Sequence, residues 1–460
     1  MVLREENGIT VEVPLYNTKI QSKLLDLPYI SSEQIKLHNS ENDCWIIINN
    51  LVFEVSDFLN KHPGGKLVIL NSGGKDVTDA FENYHNASIH NKLHPFLIGK
   101  VLADKLSDHL LAFRNLRQIL LKNDMFVTNY KYYTILGCIL LMLFTTSISL
   151  SCGMLDIFSY NMRLVGGFLL GIFWQQLSGI GHDLGHSSIT HNFRKDHIIG
   201  SLLISVLGLS IGWWKIDHNN HHVNTNSIEN DPNIQHLPLL ATSINILNGF
   251  YDKYHKKNVV IYESTKKIIS HQHLFVYPLI IFGRFNLYFQ QLLFMYSKYD
   301  KHNFLKTEAY GFFIFVFWYI LIAYSQPNIF LTLSWILISH ITSGLLHIQI
   351  VISHWAMEKY MMNSHDDDWY MKQLKTTLNI KTEPSYLDFI HVGLQFQIEH
   401  HMYPRIPRHN LRKVRNMVQR ICEKFNLNYV ELSFLNANIC TWKKLKEVSS
   451  ATKYEKNKIQ

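Results

Sequence analysis

Cysteine is scarce in this chain of 460 residues, and Cys44, Cys138, Cys152, Cys422 and Cys440 stand far apart. That spacing offers neither a disulfide framework nor a thiolate metal site, so reduced structural thiols are expected. There is no Gly-x-Gly-x-x-Gly run, and the chain therefore lacks a dinucleotide fingerprint. The dipeptide His-Glu is also missing, which excludes the His-Glu-x-x-His helix of zinc metalloproteases. The opening Met-Val-Leu-Arg-Glu-Glu-Asn has no apolar core of a cleaved signal, so the amino-terminal part is expected in the cytosol. The net charge of +8 gathers around Lys253 to Lys257 and Arg405 to Arg415, beside apolar segments, and reads as membrane-surface charge rather than a nucleic-acid site.

Long apolar runs, in contrast, are plentiful after a polar first quarter. They cover about 132–151, 164–180, 310–325 and 330–352. Each is long enough, or nearly so, to cross a hydrocarbon core of about 30 Å, which predicts four spans. The stretch 198–214 is broken by glycine and serine, and 274–296 contains Arg284 and several amides. Both are expected to lie at the interface or inside the protein without crossing. Four crossings put both termini in the cytosol, with short lumenal loops near 155–161 and 326–328. Residues 104–123 carry Leu and Ile at helical intervals between charges, predicting an amphipathic connector against the bilayer or the membrane domain.

Histidine is the residue that carries chemistry. His182 and His186 are four apart, and His218, His221 and His222 follow at intervals of three and four. Gln397, His400 and His401 repeat that second spacing. Such intervals bring imidazoles onto one helix face, and neutral imidazole binds first-row transition metals well. Two spans precede the first cluster and two separate the second from the third, so all three reach the same side of the membrane. A metal centre at the cytosolic surface follows, with iron favoured. Asp183, Asn219, Asn220 and Glu399 are candidates for orienting the imidazoles. His340 and His347 read as packed helix residues, and His191, His236, His391 and His409 fall off the ligand spacing.

The first quarter alternates strand-like pieces with short helices over about 30–102, with a turn at His62-Pro-Gly-Gly65. Two histidines on separate helices can clamp a haem from both faces, giving a centre suited to electron transfer. His62 is one candidate, and His85, His90 and His94 compete to be the other. The runs Asp43-Cys-Trp-Ile-Ile-Ile, Val52-Phe-Glu-Val-Ser-Asp-Phe-Leu, His62-Pro-Gly-Gly, Gly74-Lys-Asp-Val-Thr-Asp-Ala-Phe-Glu and Leu97-Ile-Gly-Lys resemble a cytochrome b5 domain. The resemblance implies haem b with His62 and His85 as axial ligands, leaving His90 and His94 as surface residues.

The three histidine boxes, with Gln397 opening the third, resemble a front-end membrane desaturase fused to cytochrome b5. Gly212-Trp-Trp-Lys-Ile-Asp-His, Asp231-Pro-Asn-Ile-Gln-His, Phe282-Gly-Arg-Phe-Asn-Leu-Tyr and Gly393-Leu-Gln-Phe-Gln-Ile-Glu-His-His-Met-Tyr-Pro look most like fungal delta-8 sphingolipid desaturases. The implied architecture is an α+β haem domain followed by an all-α multi-pass membrane domain with a cytosolic histidine-ligated di-iron cap. The expected segments are a leader (1–29), the haem domain (30–103), an amphipathic linker (104–131), the desaturase domain (132–420) and a cytosolic tail (421–460). The resemblance implies that two non-haem irons are held by His182, His186, His218, His221, His222, His400 and His401, together with His354 and Gln397. It also implies O2 as cosubstrate, ceramide or its sphingoid base as substrate, and NADH acting through a separate NADH-cytochrome b5 reductase. Lys456 and Lys458 resemble a retrieval signal of the endoplasmic reticulum. An acyl delta-5 or delta-6 desaturase, a lipid hydroxylase and a non-catalytic haem carrier are the alternative readings.

Overall fold

The computed structural model describes every residue except 1, 7–8, 14–25, 103–104, 158, 235, 299–304, 362–367 and 458–460. Two strands near the start, β1 (Val2–Glu6) and β2 (Ile9–Val13), pair antiparallel. The haem-type domain is built next. Helix α1 (Ser32–Leu37) begins on the Ser31 side chain, which accepts the Gln34 amide. Then follow β3 (Asn39–Ser40), β4 (Asp43–Ile48) and β5 (Leu51–Glu54), and β6 (Leu97–Lys100) closes a sheet of order β3-β4-β5-β6. Asn49 and Asn50 join β4 to β5 at φ of 52° and 61°, the left-handed pair that a tight two-residue hairpin needs and that asparagine tolerates. Helices α2 (Lys66–Leu70) and α3 (Thr78–Tyr84) lie between β5 and β6. Their core is Ile46, Ile48, Phe53, Val55, Leu59 and Phe81.

Helix α4 (Asp108–Lys122) is the amphipathic connector. It buries Leu110, Phe113, Leu116 and Leu120 at helical spacing against Tyr370, Tyr403, Val414 and Val418, so it rests on the body of the membrane domain.

Among the described residues four helices are long and apolar enough to cross a bilayer: α5 (Tyr130–Ser151), α6 (Met162–Gly185) and, after the intervening cap, α12 (Leu305–Tyr324) and α13 (Ile329–Ile352). Gly167 and Gly171 of α6 face α13, where an added methyl would sit 2.8 Å from Trp335 and 2.5 Å from Thr342. This small-residue stripe brings the two backbones together where no aqueous hydrophobic drive acts between helices. Gly166 meets Ser151 of α5 in the same way, and the Trp335 indole donates to Ser151 Oγ at 2.9 Å. Phe313, Phe317 and Ile320 of α12 stay exposed, as a lipid-facing surface requires.

Between these pairs lie α7 (Phe193–Ser205), α8 (Ile211–Val223), α9 (Glu263–Ile269), α10 (Gln272–Ile281) and α11 (Gly283–Lys298). All are shorter than the roughly 20 residues of a crossing, in keeping with the expected non-crossing segments. After α13 come α14 (Trp369–Thr376), α15 (Asp388–His391), α16 (Gln397–Met402) and α17 (Arg408–Lys424).

The segment read from sequence as a cytosolic tail (421–460) is, over its described residues, folded onto the body. Glu431–Ser433 pairs in parallel with Asn379–Lys381, and α18 (Phe434–Asn457) buries Ala437, Leu445 and Val448 against a core that includes Val276 and Ile269. Lys443, Lys444 and Lys446 interrupt that apolar stripe in the sequence, so composition concealed it. Lys458, half of the dilysine pair, lies outside the described residues.

Candidate metal centre and haem site

In the amino-terminal domain the chain turns sharply after a short 3-10 helix to present His62, and α3 ends at His85. Their ring centroids are 6.1 Å apart. His62 Nδ1 lies 3.0 Å from the Gly65 carbonyl and His85 Nδ1 3.0 Å from the Phe81 carbonyl. A carbonyl only accepts, so both imidazoles donate through Nδ1 and keep an Nε2 lone pair for a ligand. A methyl at Gly64 would come 2.8 Å from the His62 ring, which explains the glycine. Burial lowers the pKa of His62, and burial with the His62 charge nearby brings His85 to about 4, which favours neutral donors. This donor pair fits an iron held from two faces, as haem b requires.

His90, expected at the surface, is buried instead. Its Nε2 lies 3.0 Å from Glu82 and its ring meets Phe81 edge-on. The 3-10 turn Ala87–Lys92 folds back over α3, a reversal that histidine spacing alone does not reveal. His94 is half-buried.

At the far end of α6 the polypeptide gathers imidazoles from four elements. His182, His186, His218, His222 and His400 form one group, and His221, His354 and His401 a second, with the ligand atoms of each group within 4.8 Å of one another. Nε2 atoms of His182 and His218 lie 3.2 Å apart, those of His218 and His222 3.0 Å, and those of His222 and His400 3.1 Å. His222 also stacks on His401 at 4.0 Å and so stands between the groups. Its position follows from the i, i+4 spacing to His218 on α8, while α16 brings His400 and His401 from the other side.

The chemistry of this donor set suits metal ions. Both nitrogens of His186, Nδ1 of His222 and Nε2 of His401 are buried without a hydrogen-bond partner among the described residues. Orphaned buried nitrogens are costly unless something takes their lone pairs. Burial, reinforced by neighbouring imidazoles, holds His186, His218, His222, His354, His400 and His401 well below the usual histidine range, which keeps the rings neutral, the form that can donate to a metal. Gln397 is buried beside His354 at the start of α16.

The groups that orient these rings differ from those singled out in the sequence. Asp231 faces His221 Nδ1 at 2.9 Å, Gln373 Oε1 faces His401 Nδ1 at 3.1 Å, and the Thr376 carbonyl faces His354 Nδ1 at 3.2 Å. Each fixes Nδ1 as the donor and turns Nε2 toward the second group. Glu399 points away and accepts from Asn379 at 2.7 Å and Tyr429 at 2.8 Å, because its place on α16 is opposite the imidazoles. Asp183 keeps one oxygen 3.9 Å from His182 Nδ1, while its other oxygen accepts from Arg408 Nε and the Tyr133 hydroxyl, each at 2.6 Å. Asn220 donates to the Asn230 carbonyl, and Asn219 is half-buried on α8. A carboxylate nine residues past the second box was the available signal for Asp231; nothing local marks Gln373.

The remaining histidines have other neighbours. His191 lies 2.9 Å from Thr128 Oγ1, His236 donates to the Asn233 carbonyl, His391 lies 2.5 Å from Gln349 Oε1, and His409 accepts the Asn129 amide. His340 donates to the Ile336 carbonyl and stacks on Phe285, while His347 packs beside Gly283.

The haem-type domain is seated on this cap. Arg114 of the connector makes a two-point ion pair with Asp79 at 2.9 and 2.8 Å, and Asn83 donates to the Tyr370 hydroxyl at 3.1 Å. Lys256, from the loop between Phe250–Asp252 and Lys257–Val259, reaches Glu41 at 2.7 Å.

Comparisons with known proteins agree with the two-part architecture. Residues 31–102 match the cytochrome b5-like heme/steroid binding domain, and residues 161–433 match the fatty acid desaturase family. The chain is 34% identical to the Delta(8)-fatty-acid desaturase of Helianthus annuus, over 91% of each chain. It is 35% identical to Delta(8)-fatty-acid desaturase 2 of Arabidopsis thaliana, over 92% of this chain and 93% of the relative. The Delta 8-(E)-sphingolipid desaturase of Lachancea kluyveri is 38% identical over 64% of this chain and 53% of its own length. A helical membrane body bearing imidazoles, a fused haem-type domain and relatives matched nearly end to end converge: this chain belongs to the fatty acid desaturase family, as a multi-pass membrane oxidoreductase with a fused cytochrome b5 domain and delta-8 desaturases among its homologues.

Proposed function

We propose that this enzyme uses O2 to introduce a double bond between the eighth and ninth carbons of the long-chain base of ceramide. The observation that carries the reaction type is the convergence of neutral, buried imidazoles from α6, α8, α16 and the end of α13 at one end of the membrane helices. Two non-haem irons, when bound there, supply the oxidant that removes hydrogens from an unactivated methylene pair. His182, His186, His218, His221, His222, His354, His400 and His401 would hold them, with Gln397 beside His354. Asp231, Gln373 and the Thr376 carbonyl keep three of the rings in the ligand tautomer. His62 and His85 would hold haem b, whose role is one-electron delivery. Fusion keeps the donor domain at a high effective concentration over the cap.

The upstream reductant in this reading is NADH through NADH-cytochrome b5 reductase, and the site of action is the endoplasmic reticulum membrane with both termini cytosolic. Support for the sphingoid substrate comes from the 38% identity to a fungal relative named for that lipid. A second reading has its own observation: the plant relatives matched over nine-tenths of the chain are named as fatty-acid desaturases, which favours an acyl substrate. Expression in a host without delta-8 unsaturation, followed by mass spectrometry of hydrolysed lipids, separates them. Sphingoid bases two hydrogens lighter, with fragmentation at the eighth bond, support the proposal. The same loss confined to acyl chains supports the second reading, and a gain of one oxygen supports a hydroxylase. Unchanged lipids from a protein loaded with haem and iron would leave only a haem carrier.

A further inference from the structure

Helix α3 ends in two consecutive residues that look in different directions. His85 turns toward His62, while the ring of Tyr84 leaves the haem domain and meets the cap. Its centroid lies 6.3 Å from that of His222, perpendicular to it, and 6.1 Å from that of Trp369. The Tyr84 hydroxyl is buried and makes no hydrogen bond among the described residues. The seat around it is firm: Asp79 and Glu82, on the same helix, pair with Arg114 and Arg117, and Asn83 bonds Tyr370. One aromatic side chain thus touches a candidate metal ligand and is covalently next to a candidate haem ligand.

We propose that the Tyr84 ring is the contact through which electrons cross from the haem domain to the metal centre, making it a positioning residue for electron delivery. This rests on the desaturase reading above. In each crossing, ferrous haem iron held by His62 and His85 becomes ferric, and one metal ion of the His222 cluster gains that electron. Two crossings serve each double bond, and the haem is restored by a flavoprotein reductase or, in the test, by dithionite. Tyr84 itself is not oxidised. A phenol gives up its proton when it loses an electron, and among the described residues no group lies within hydrogen-bond reach to take it. The ring therefore acts as filled matter in a gap, which a phenyl group also provides and an aliphatic side chain provides poorly.

The test uses full-length enzyme loaded with haem and iron, in detergent micelles containing a dihydroceramide. It is reduced with stoichiometric dithionite and mixed rapidly with oxygenated buffer, and haem re-oxidation is followed at its Soret band. The metal-dependent phase is the one lost in His401→Ala. For Tyr84→Leu the rate of that phase should fall by about tenfold or more, with haem absorbance and non-haem iron content unchanged; Tyr84→Phe should stay within about twofold of wild type. Should the leucine variant lose haem or iron, Tyr84→Met is held to the same criterion. A wild-type rate in the aliphatic variant overturns the link while leaving the desaturase reading intact, and so does a loss in Tyr84→Phe equal to that in Tyr84→Leu. If wild-type enzyme has no metal-dependent phase, the desaturase reading falls and this link falls with it.

Discussion

His62 and His85 each tie Nδ1 to a backbone carbonyl, three and four residues away in the chain. His221, His354 and His401 tie theirs to Asp231, Thr376 and Gln373, which are 10, 22 and 28 residues away. Of the two imidazole sites, the first is thus completed by local turns of a small domain. The second exists only once α6, α8, α14, α16 and the end of α13 have packed. A local site tolerates change elsewhere, whereas a convergent one concentrates the stability of the whole cap on a few buried polar contacts.

The comparison breaks most sharply on the proposed ligands themselves. His401→Ala should abolish desaturation and lower non-haem iron content while the haem spectrum stays intact. His62→Ala should do the reverse, removing the haem band and haem-driven turnover while leaving non-haem iron bound. Each loss is expected to exceed about a thousandfold in turnover, as removal of a metal or haem ligand would bring. Metal analysis and the Soret band, measured on the same preparations, check both. Loss of haem in His401→Ala would show that the two sites are not independent.

A milder change sharpens the distinction between local and distant tethers. Asp231→Asn keeps the size of the side chain that faces His221 but removes the charge that favours the Nδ1-protonated ring. Metal affinity should fall by about 10- to 100-fold, with haem binding unchanged. Chelator titration against non-haem iron reads this directly. A matching change cannot be made at His85, whose partner is the Phe81 backbone carbonyl.

How legible each site was follows from the same contrast. His62-Pro-Gly-Gly is a local pattern that marks His62, whereas His85 was set apart from His90 and His94 only by the family resemblance. The boxes were legible too, because intervals of three and four place imidazoles on one helix face before any packing is known. The orienting groups were not. Glu399 adjoins the ligands in sequence yet faces Asn379 and Tyr429, while Gln373 lies in a stretch with no distinguishing pattern and arrives through the docking of α14. The spans were visible as apolar runs. The packing of α18 was hidden by lysines that stand on the face opposite Leu445 and Val448, and the burial of His90 by a chain reversal over α3.

The contact between the two regions can be graded in the same way. Arg114→Ala removes a two-point pair to Asp79, whose side chain is 11% exposed. Loss of charge-assisted bonds in such a place should weaken the seating of the haem domain by about 1.5–3 kcal/mol. Faster amide exchange along α3, with α6 unaffected, is the measurement. Equal protection in the variant would mean that apolar contacts of α4 alone hold the seat.

Glu41→Gln should have the smallest effect, although it too removes a bond across the same contact. Glu41 accepts from Lys256 at 2.7 Å and Lys66 at 2.8 Å, but its side chain is 42% exposed. Water and salt screen such a pair, and its removal should change seating by less than about 1 kcal/mol, a difference that vanishes in high salt. The two ammonium groups, Lys256 first, lower the Glu41 pKa from 4.5 to about 2. Because the folded value is depressed, the contribution is complete above pH 4.5 and is lost as pH falls from there toward 2. Exchange of α3 amides in Glu41→Gln should therefore match wild type in high salt, and at low salt the small gap between them should close below pH 4.5. An effect at neutral pH as large as that of Arg114→Ala would mean that the exposed edge, and not the partly buried pair on α3, governs how the donor domain sits.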